Sequence, residues 1–417
     1  MQRLGQTTNL PVPEGNILRQ IAETWLPIII ELGGQVGEAI IREPIANPYL
    51  GYSGLPIEGA TFVGRDDVMR RLERLWTGHH EWTAIFLYGH RRMGKTSVLR
   101  NLQKSLRPGT VVVQLDMQGA GFVDRTGQLM YEFARAIHKR VTHANLDAGE
   151  LPSLASFDSL GNGRILLDSL LDRLEPQLQD RILVLAIDEF EVVQERIEQG
   201  KVDPDFLTYL RSINQRYRYL ALIFAGLHQL QEMGHHYRNA FFGQAEHVRV
   251  DYLKKDDAMR LITQPSEDFA LEYSPELREE LYRRTFGQPY LLQRLCWELV
   301  DAWNDRFLKL GEKTPRTIEM ADLEYLDSET FFQSTHYYFD GVWSHRTPEE
   351  QSFLRDLAIQ DGPLTRAKIE TMGQLEILER LKRHDVVLER QGHVDFAAEF
   401  LRDWVAKHQR AQDATRA

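Results

Sequence analysis

Apolar and polar positions change rhythm several times along this chain of 417 residues. Between residues 16 and 43, Ile17, Leu18, Ile21, Trp25 and Ile28 recur at helical spacing. That predicts one or two amphipathic helices in an N-terminal segment, 1–45, packed on their own body or docking a partner. The Pro- and Gly-rich "EPIANPYLGYSGLPIEGA" reads as a linker at 46–60. From residue 82, short apolar runs alternate with helical stretches of a dozen residues. "TAIFLY", "GTVVVQLDM", "ILVLAI", "YLALIFAG" and "HVRVDYL" read as strands, and "GKTSVLRNLQKSL", "TGQLMYEFARAIHKRV", "ILLDSLLDRLEPQL" and "PDFLTYLRSINQRY" as helices. This alternation predicts an α/β core over 61–252, a parallel sheet covered on both faces. From 253 to 340 the period is helical throughout. From 341 to 408 the pattern is three helices ("PEEQSFLRDLAI", "LTRAKIETM", "QLEILERLKRH"), a hairpin turning at Gln391-Gly392, and a closing helix. That order predicts a winged helix. Residues 409–417 read as a polar tail.

Composition narrows the class. With 42% hydrophobic and 27% charged residues, the chain is that of a soluble globular protein. A net charge of -11 argues against a generic nucleic-acid coat, though a local basic patch stays open. The single cysteine, Cys296, excludes an intrachain disulfide, which fits a reducing cytoplasm. The N-terminus carries no apolar signal core, and "WLPIIIELGGQVGEAII" is too short and too charged to span a bilayer. The histidines form no ligand-spaced metal cluster: His79-His80 and His235-His236 are adjacent pairs, which rarely converge on one ion.

The densest chemical signal is Gly89-His90-Arg91-Arg92-Met93-Gly94-Lys95-Thr96, a complete G-x-x-x-x-G-K-[ST] between strand and helix. Glycines let backbone approach an anion, and N–H groups at a helix start offer it partial positive charge. Lys95 is expected on the β- and γ-phosphates and Thr96 on Mg²⁺, with Ser97 beside it in the same loop. The apolar run "ILVLAI" ends in Asp188-Glu189. Asp188 is expected to hold Mg²⁺ through water, and Glu189 to act as general base. Where "YLALIFAG" runs out, His228 or Gln229 is the candidate phosphate sensor. Among Arg211, Arg216, Arg218 and Arg238, Arg238 is the chosen arginine finger.

With these motifs in view, the chain resembles P-loop ATPases of the additional-catalytic-glutamate division. More narrowly, it resembles the AAA+/STAND type, near the archaeal-ATPase and origin-recognition-like branches. "TFVGRDD" is similar to the box that precedes the phosphate loop there. It makes Phe62, Val63, Gly64 and Arg65 candidate base-side residues. "RTFGQPYLLQ" is similar to the family's lid motif, whose proline, here Pro289, lies against the base. The resemblance implies an ASCE-type parallel sheet, a helical lid and a winged helix. It also implies ATP with Mg²⁺ as cofactors, adenine rather than guanine, and slow hydrolysis. A sensor arginine just after the lid glycine is missing from "GQPYLL"; the nearest is Arg294.

Two functional readings stay open at this point. The first is an ATP-dependent switch acting on a protein effector in trans, with homo-oligomerisation completing the site, of the kind found in signalling, defence and mobile-element systems. The alternative is a DNA-binding loader, transposition or origin-binding regulator. It rests on the winged helix, whose helix "QLEILERLKRHD" mixes Arg380, Lys382 and Arg383 with Glu376 and Glu379. A pseudo-ATPase is disfavoured by the presence of both Asp188 and Glu189.

Overall fold

The structure is a computed structural model. It describes residues 44–49, 57, 62–77, 82–119, 123–159, 161–178, 181–227, 245–310, 314–326, 328–360 and 364–416, with 23–25 and 27. The expected N-terminal helices fall largely outside these residues.

The core alternates as expected. Its elements are α1 (Asp66–Thr77), β1 (Ile85–Tyr88), α2 (Lys95–Ser105), β2 (Val111–Asp116), α3 (Thr126–His143), α4 (Leu154–Asp158) and α5 (Asn162–Leu178). They continue with β3 (Leu183–Asp188), α6 (Glu191–Glu198), α7 (Asp205–Arg216), β4 (Leu220–Gly226) and β5 (Glu246–Arg249). The five strands form one parallel sheet in the order β2-β3-β4-β1-β5. One extra strand, β4, therefore separates the strand that leads into the phosphate loop from the strand that ends in Asp188. This is the ASCE arrangement.

The continuous apolar runs have a direct cause. Successive side chains point to opposite faces, and both faces are covered. Phe86, Leu185, Ile187, Leu222 and Phe224 pack under α3, α5 and α7. Ile85, Leu87, Ala186, Ile223 and Ala225 pack under α1 and α2.

Beyond the sheet come α8 (Lys255–Thr263), β6 (Glu272–Tyr273), α9 (Pro275–Thr285), α10 (Pro289–Leu310), β7 (Thr317–Ile318), α11 (Met320–Tyr325) and α12 (Ser328–Ser344). The C-terminal part holds α13 (Pro348–Ile359), β8 (Leu364–Thr365), α14 (Arg366–Thr371), α15 (Leu375–Arg383), β9 (Val387–Arg390), β10 (His393–Phe396) and α16 (Glu399–Arg416). Strands β8-β10-β9 form a small antiparallel sheet. The β9–β10 turn places Gln391 at φ 51° and Gly392 at φ 77°, the backbone a two-residue primed turn requires.

Several boundaries differ from the expectation. The region 253–340 is not helical throughout, because β6 and β7 pair in parallel. "LTRAKIETM" opens as strand β8, with Leu364 bonded into the sheet edge, before α14 begins. The expected division at 340/341 falls inside α12, which packs on α16 through Phe331 against Phe400 and Phe339 against Trp404. Lid and C-terminal elements share one apolar cluster. Helix α16 runs on to Arg416, so the expected tail continues the last helix. Part of the linker is also docked. Ile45 N–H donates to Asn304 Oδ1 and Asn304 Nδ2 to Ile45 O; Asn47 Nδ2 donates to Trp297 O. Tyr49 is fully buried, its hydroxyl donating to Ile262 O at 2.7 Å. Among the described residues no helix is long and apolar enough to cross a membrane.

Candidate active site at the phosphate loop

Strand β1 delivers the chain to Gly89. A Cβ there would lie 2.4 Å from the Val250 carbonyl oxygen, so the loop leaves the sheet through a gap that only glycine fits. Arg92 (φ 58°) and Gly94 (φ 90°) then turn the backbone left-handed, and Val98 N–H to Gly94 O opens α2. No side chain caps this helix, so its first N–H groups and its dipole are left to face an anion.

Lys95 is buried beneath the loop, its Nζ donating to the carbonyls of Gly89 and His90, each at 3.0 Å. Burial lowers its pKa, while Glu191, Glu189 and Asp188 oppose the shift. Thr96 hydrogen-bonds the carboxylate of Asp188, which is itself buried. Burial raises the Asp188 pKa and the Glu189 charge adds to the rise, whereas the Thr96 bond and Lys95 lower it. Glu189 follows at φ 51°, half-buried, its N–H donating to Asp188 Oδ1. Phe190 N–H bonds Ala225 O at the end of β4, which fixes the acidic pair across the sheet from the loop.

These groups suit nucleotide and Mg²⁺. Thr96 and Asp188 would offer hard oxygen donors, and Mg²⁺ usually takes only one or two from protein, filling its shell with phosphate and water. Accordingly, the described residues hold no cluster of three potential metal ligands.

The base-side candidates gather near the loop. Arg65 is buried, and its guanidinium donates to Met93 O (2.8 Å) and Gly64 O (3.5 Å). Burial pulls its pKa down to about 10. It braces the phosphate loop from behind instead of presenting a charge to a base. Val63 joins the lid core, and Phe62 packs on the α1–α2 side. Ser97 is engaged elsewhere: its Oγ accepts from Ile57 N at 2.9 Å, and Asn101 binds Ile57 O.

Pro289 opens α10 beside the loop. Gln288 next to it is fully buried and its Nε2 lies 3.5 Å from Arg92 O; the Arg92 guanidinium lies 4.1 Å over the Tyr290 ring. Arg294 turns along its own helix to Glu298 and Trp297, so the lid fills no sensor-arginine role there. His228, Gln229 and Arg238 lie outside the described residues. Arg216 and Arg218 sit at the N-terminal end of β4, the edge of the sheet opposite the loop, and Arg216 is bound by Asp168 and Asp172. Arg211 lies on α7.

Glu191 is a site residue that the motif reading missed. It stands three positions past Asp188, in the first turn of α6, and turns a buried carboxyl towards Glu189 and Lys95. Burial, then the negative charge of Glu189, push its pKa from 4.5 up to about 7. The folded state thus retains a proton that the unfolded chain releases near 4.5. Stability from this group is present at low pH and falls as pH rises from about 4.5 to about 7. Glu191→Gln is therefore expected to stabilise the protein by something of order 2 kcal/mol at pH 8, and by much less at pH 4.5. Denaturant midpoints at the two pH values check this; an equal difference at both would remove the titration argument.

Residues 61–253 match the family model of the AAA ATPase domain. This segment is a P-loop ATPase domain of the AAA+ class, and its activity is ATP hydrolysis. The whole fold is similar to the Walker-type ATPase of Pyrococcus abyssi, with TM-score 0.60 and 16% identity over 85% of this chain and 99% of that one. It is also similar to the ORC2 protein of Aeropyrum pernix, solved as ADPNP–ADP complexes, with TM-score 0.53 and 12% identity over 84% and 93%. No curated protein matches the sequence.

Proposed function

We propose that this chain is a Mg²⁺-dependent ATPase that works as a slow molecular switch, passing its nucleotide state to a protein effector in trans. Lys95 and the N–H groups of residues 89–96 hold the phosphates, Thr96 and Asp188 hold Mg²⁺, and Glu189 activates water. One observation carries the switch reading. The phosphate loop is itself a junction between the other parts: Arg92 lies on Tyr290 of the lid, His90 stands edge-on to Tyr338 of α12, and Arg91 reaches His345 beyond α12. A change at the phosphates therefore bears on the lid and C-terminal elements without an intermediary.

The DNA-binding alternative is weakened by charge pairing. The order α13-β8-α14-α15-β9-β10 supports a winged-helix reading, in which α15 would be the recognition helix. Its cations are engaged within the fold: Arg380 with Glu350 at 3.2 Å, and Lys382 with Glu379 and Glu389 at 3.3 and 2.6 Å. Arg366 bridges the same two glutamates. Phosphate-led binding needs cations free for the duplex. Light scattering on wild type and Glu189→Gln, with ADP, with ATP·Mg²⁺, and with ATP plus duplex DNA, tests the choice. Assembly or a change of shape with ATP alone supports the switch; a response only with DNA reverses the preference; no response to any refutes the coupling.

A further inference from the structure

Between the phosphate loop and the C-terminal elements lies a small cavity with an unusual wall. It is lined by His90 and Arg91 of the loop, Leu227 just after β4, Gly341 and Val342 of α12, and His345, Arg346 and His384. Two arginines and three histidines face it, and no carboxylate is among the lining residues. The loop residues come from the first half of the phosphate-binding turn, and Leu227 ends the strand beside β1. The cavity therefore adjoins the side of the loop where a nucleotide's outermost phosphate would emerge.

We propose that Arg346, supported by His345 and His384, binds the terminal phosphoryl group of the nucleotide, in cis, as the sensing cation that the lid does not supply. This inference rests on the nucleotide site proposed above. Arg346 is almost buried, with a side chain 9% exposed, and lies 3.9 Å from Glu350. That carboxylate is shared: it also takes Arg380 at 3.2 Å and the Thr347 N–H at 3.0 Å. One carboxylate between two guanidinium groups leaves the local charge positive, and an oxyanion of charge −2 is the complement that suits it.

The imidazoles are arranged as acceptors. Read as a donor, His345 Nδ1–H bonds Gly341 O at 2.7 Å, which leaves Nε2 to accept from Arg91 at 3.2 Å. His384 Nδ1 meets Arg346 Nη1 in the same way. Each arginine adjoining the cavity is thus held by an imidazole that orients its guanidinium without cancelling its charge. The module carrying Arg346 is tied to the sheet nearby: Asp385 binds Arg249, and the Tyr252 hydroxyl donates to Asp385 O at 2.7 Å. Terminal-phosphate recognition by Arg346 would set the docking of this module by nucleotide state.

The test is the ratio of affinities for ADPNP and ADP, measured by calorimetry on the full chain with Mg²⁺. Arg346→Ala is expected to weaken ADPNP about ten- to a hundredfold while ADP changes by less than about threefold. Arg346→Lys should recover part of the loss. Equal weakening of both nucleotides would mark a structural role, and an unchanged ratio would remove the role; either overturns the proposal. Inorganic phosphate alone is a separate arm. Binding of free phosphate that Arg346→Ala abolishes, with the nucleotide ratio unchanged, would assign the cluster to a free anion and also overturn it. If Arg346→Ala does not fold, His384→Ala and Arg346→Gln read the same ratio. Lys95→Ala separates the two levels. If wild type and Lys95→Ala bind both nucleotides alike, the nucleotide site itself is misplaced. If Lys95→Ala loses both and only the Arg346 ratio fails to move, the site stands and this inference alone falls.

Discussion

Glu189→Gln is expected to bind ATP as tightly as wild type while its turnover falls by about two to four orders of magnitude. The substitution keeps the shape of the side chain and removes its ability to take a proton. What positions that side chain is backbone: Glu189 is held left-handed at φ 51°, its N–H on Asp188 Oδ1 and the following N–H on Ala225 O. None of these bonds uses the Glu189 carboxylate, so the amide should leave the geometry intact. The neighbouring Glu191 bears on the outcome. Pushed up to about 7, it holds a proton through much of the neutral range and is a poorer base than Glu189 below that pH. Steady-state phosphate release and ADPNP affinity on the same preparation decide the matter. Turnover within threefold of wild type would remove Glu189 as the base and bring Glu191 forward.

The phosphate loop, Thr96 and the Asp188-Glu189 pair were legible because each is contiguous in sequence, where type and spacing are the whole signal. The strands were legible for a related reason: a sheet covered on both faces asks for unbroken apolar runs, and "LVLAI" and "LALIFA" supply them. Two-residue strands such as β6 and β8 carry no period to detect. The docked linker failed for the opposite reason. Its Pro and Gly content is that of a loop, yet Ile45 and Asn47 are held by Asn304 and Trp297, some 250 positions away. Glu191 carried a weak signal, a second acid two residues beyond Glu189 at the head of a helix. Arg346 and His345 carried none. They reach the loop only because α12 packs on the phosphate-loop side, which is a tertiary fact. The base-side assignment of Arg65 shows the same limit: the motif locates the residue, but burial turns its guanidinium to Met93 O.

Gly287→Val is expected to cost about 2–4 kcal/mol of stability and to weaken nucleotide binding together with it. Gly287 lies at φ 75°, where a β-branched residue is strained whatever the space around it. The space is also closed: a Cβ would meet the Leu253 carbonyl oxygen at 2.4 Å, and that oxygen belongs to backbone. Leu253 cannot withdraw freely, because its own N–H bonds Gly287 O at 2.9 Å. The strain therefore passes to the next residues, Gln288 and Tyr290, which touch Arg92 of the phosphate loop. Phe286, one position earlier, provides the contrast. It too is left-handed, at φ 51°, but its ring is held by Tyr252 and by Arg390 at 4.1 Å. Phe286→Gly relieves the backbone there while loosening the C-terminal hairpin from the lid, so its stability change should be small and of either sign. If Gly287→Val is as mild as Phe286→Gly in a denaturant titration, the turn at 285–289 is not the rigid link between lid and phosphate loop. If it is severe and ADPNP affinity falls with it, the lid is coupled to the site through backbone that the side-chain motif alone does not reveal.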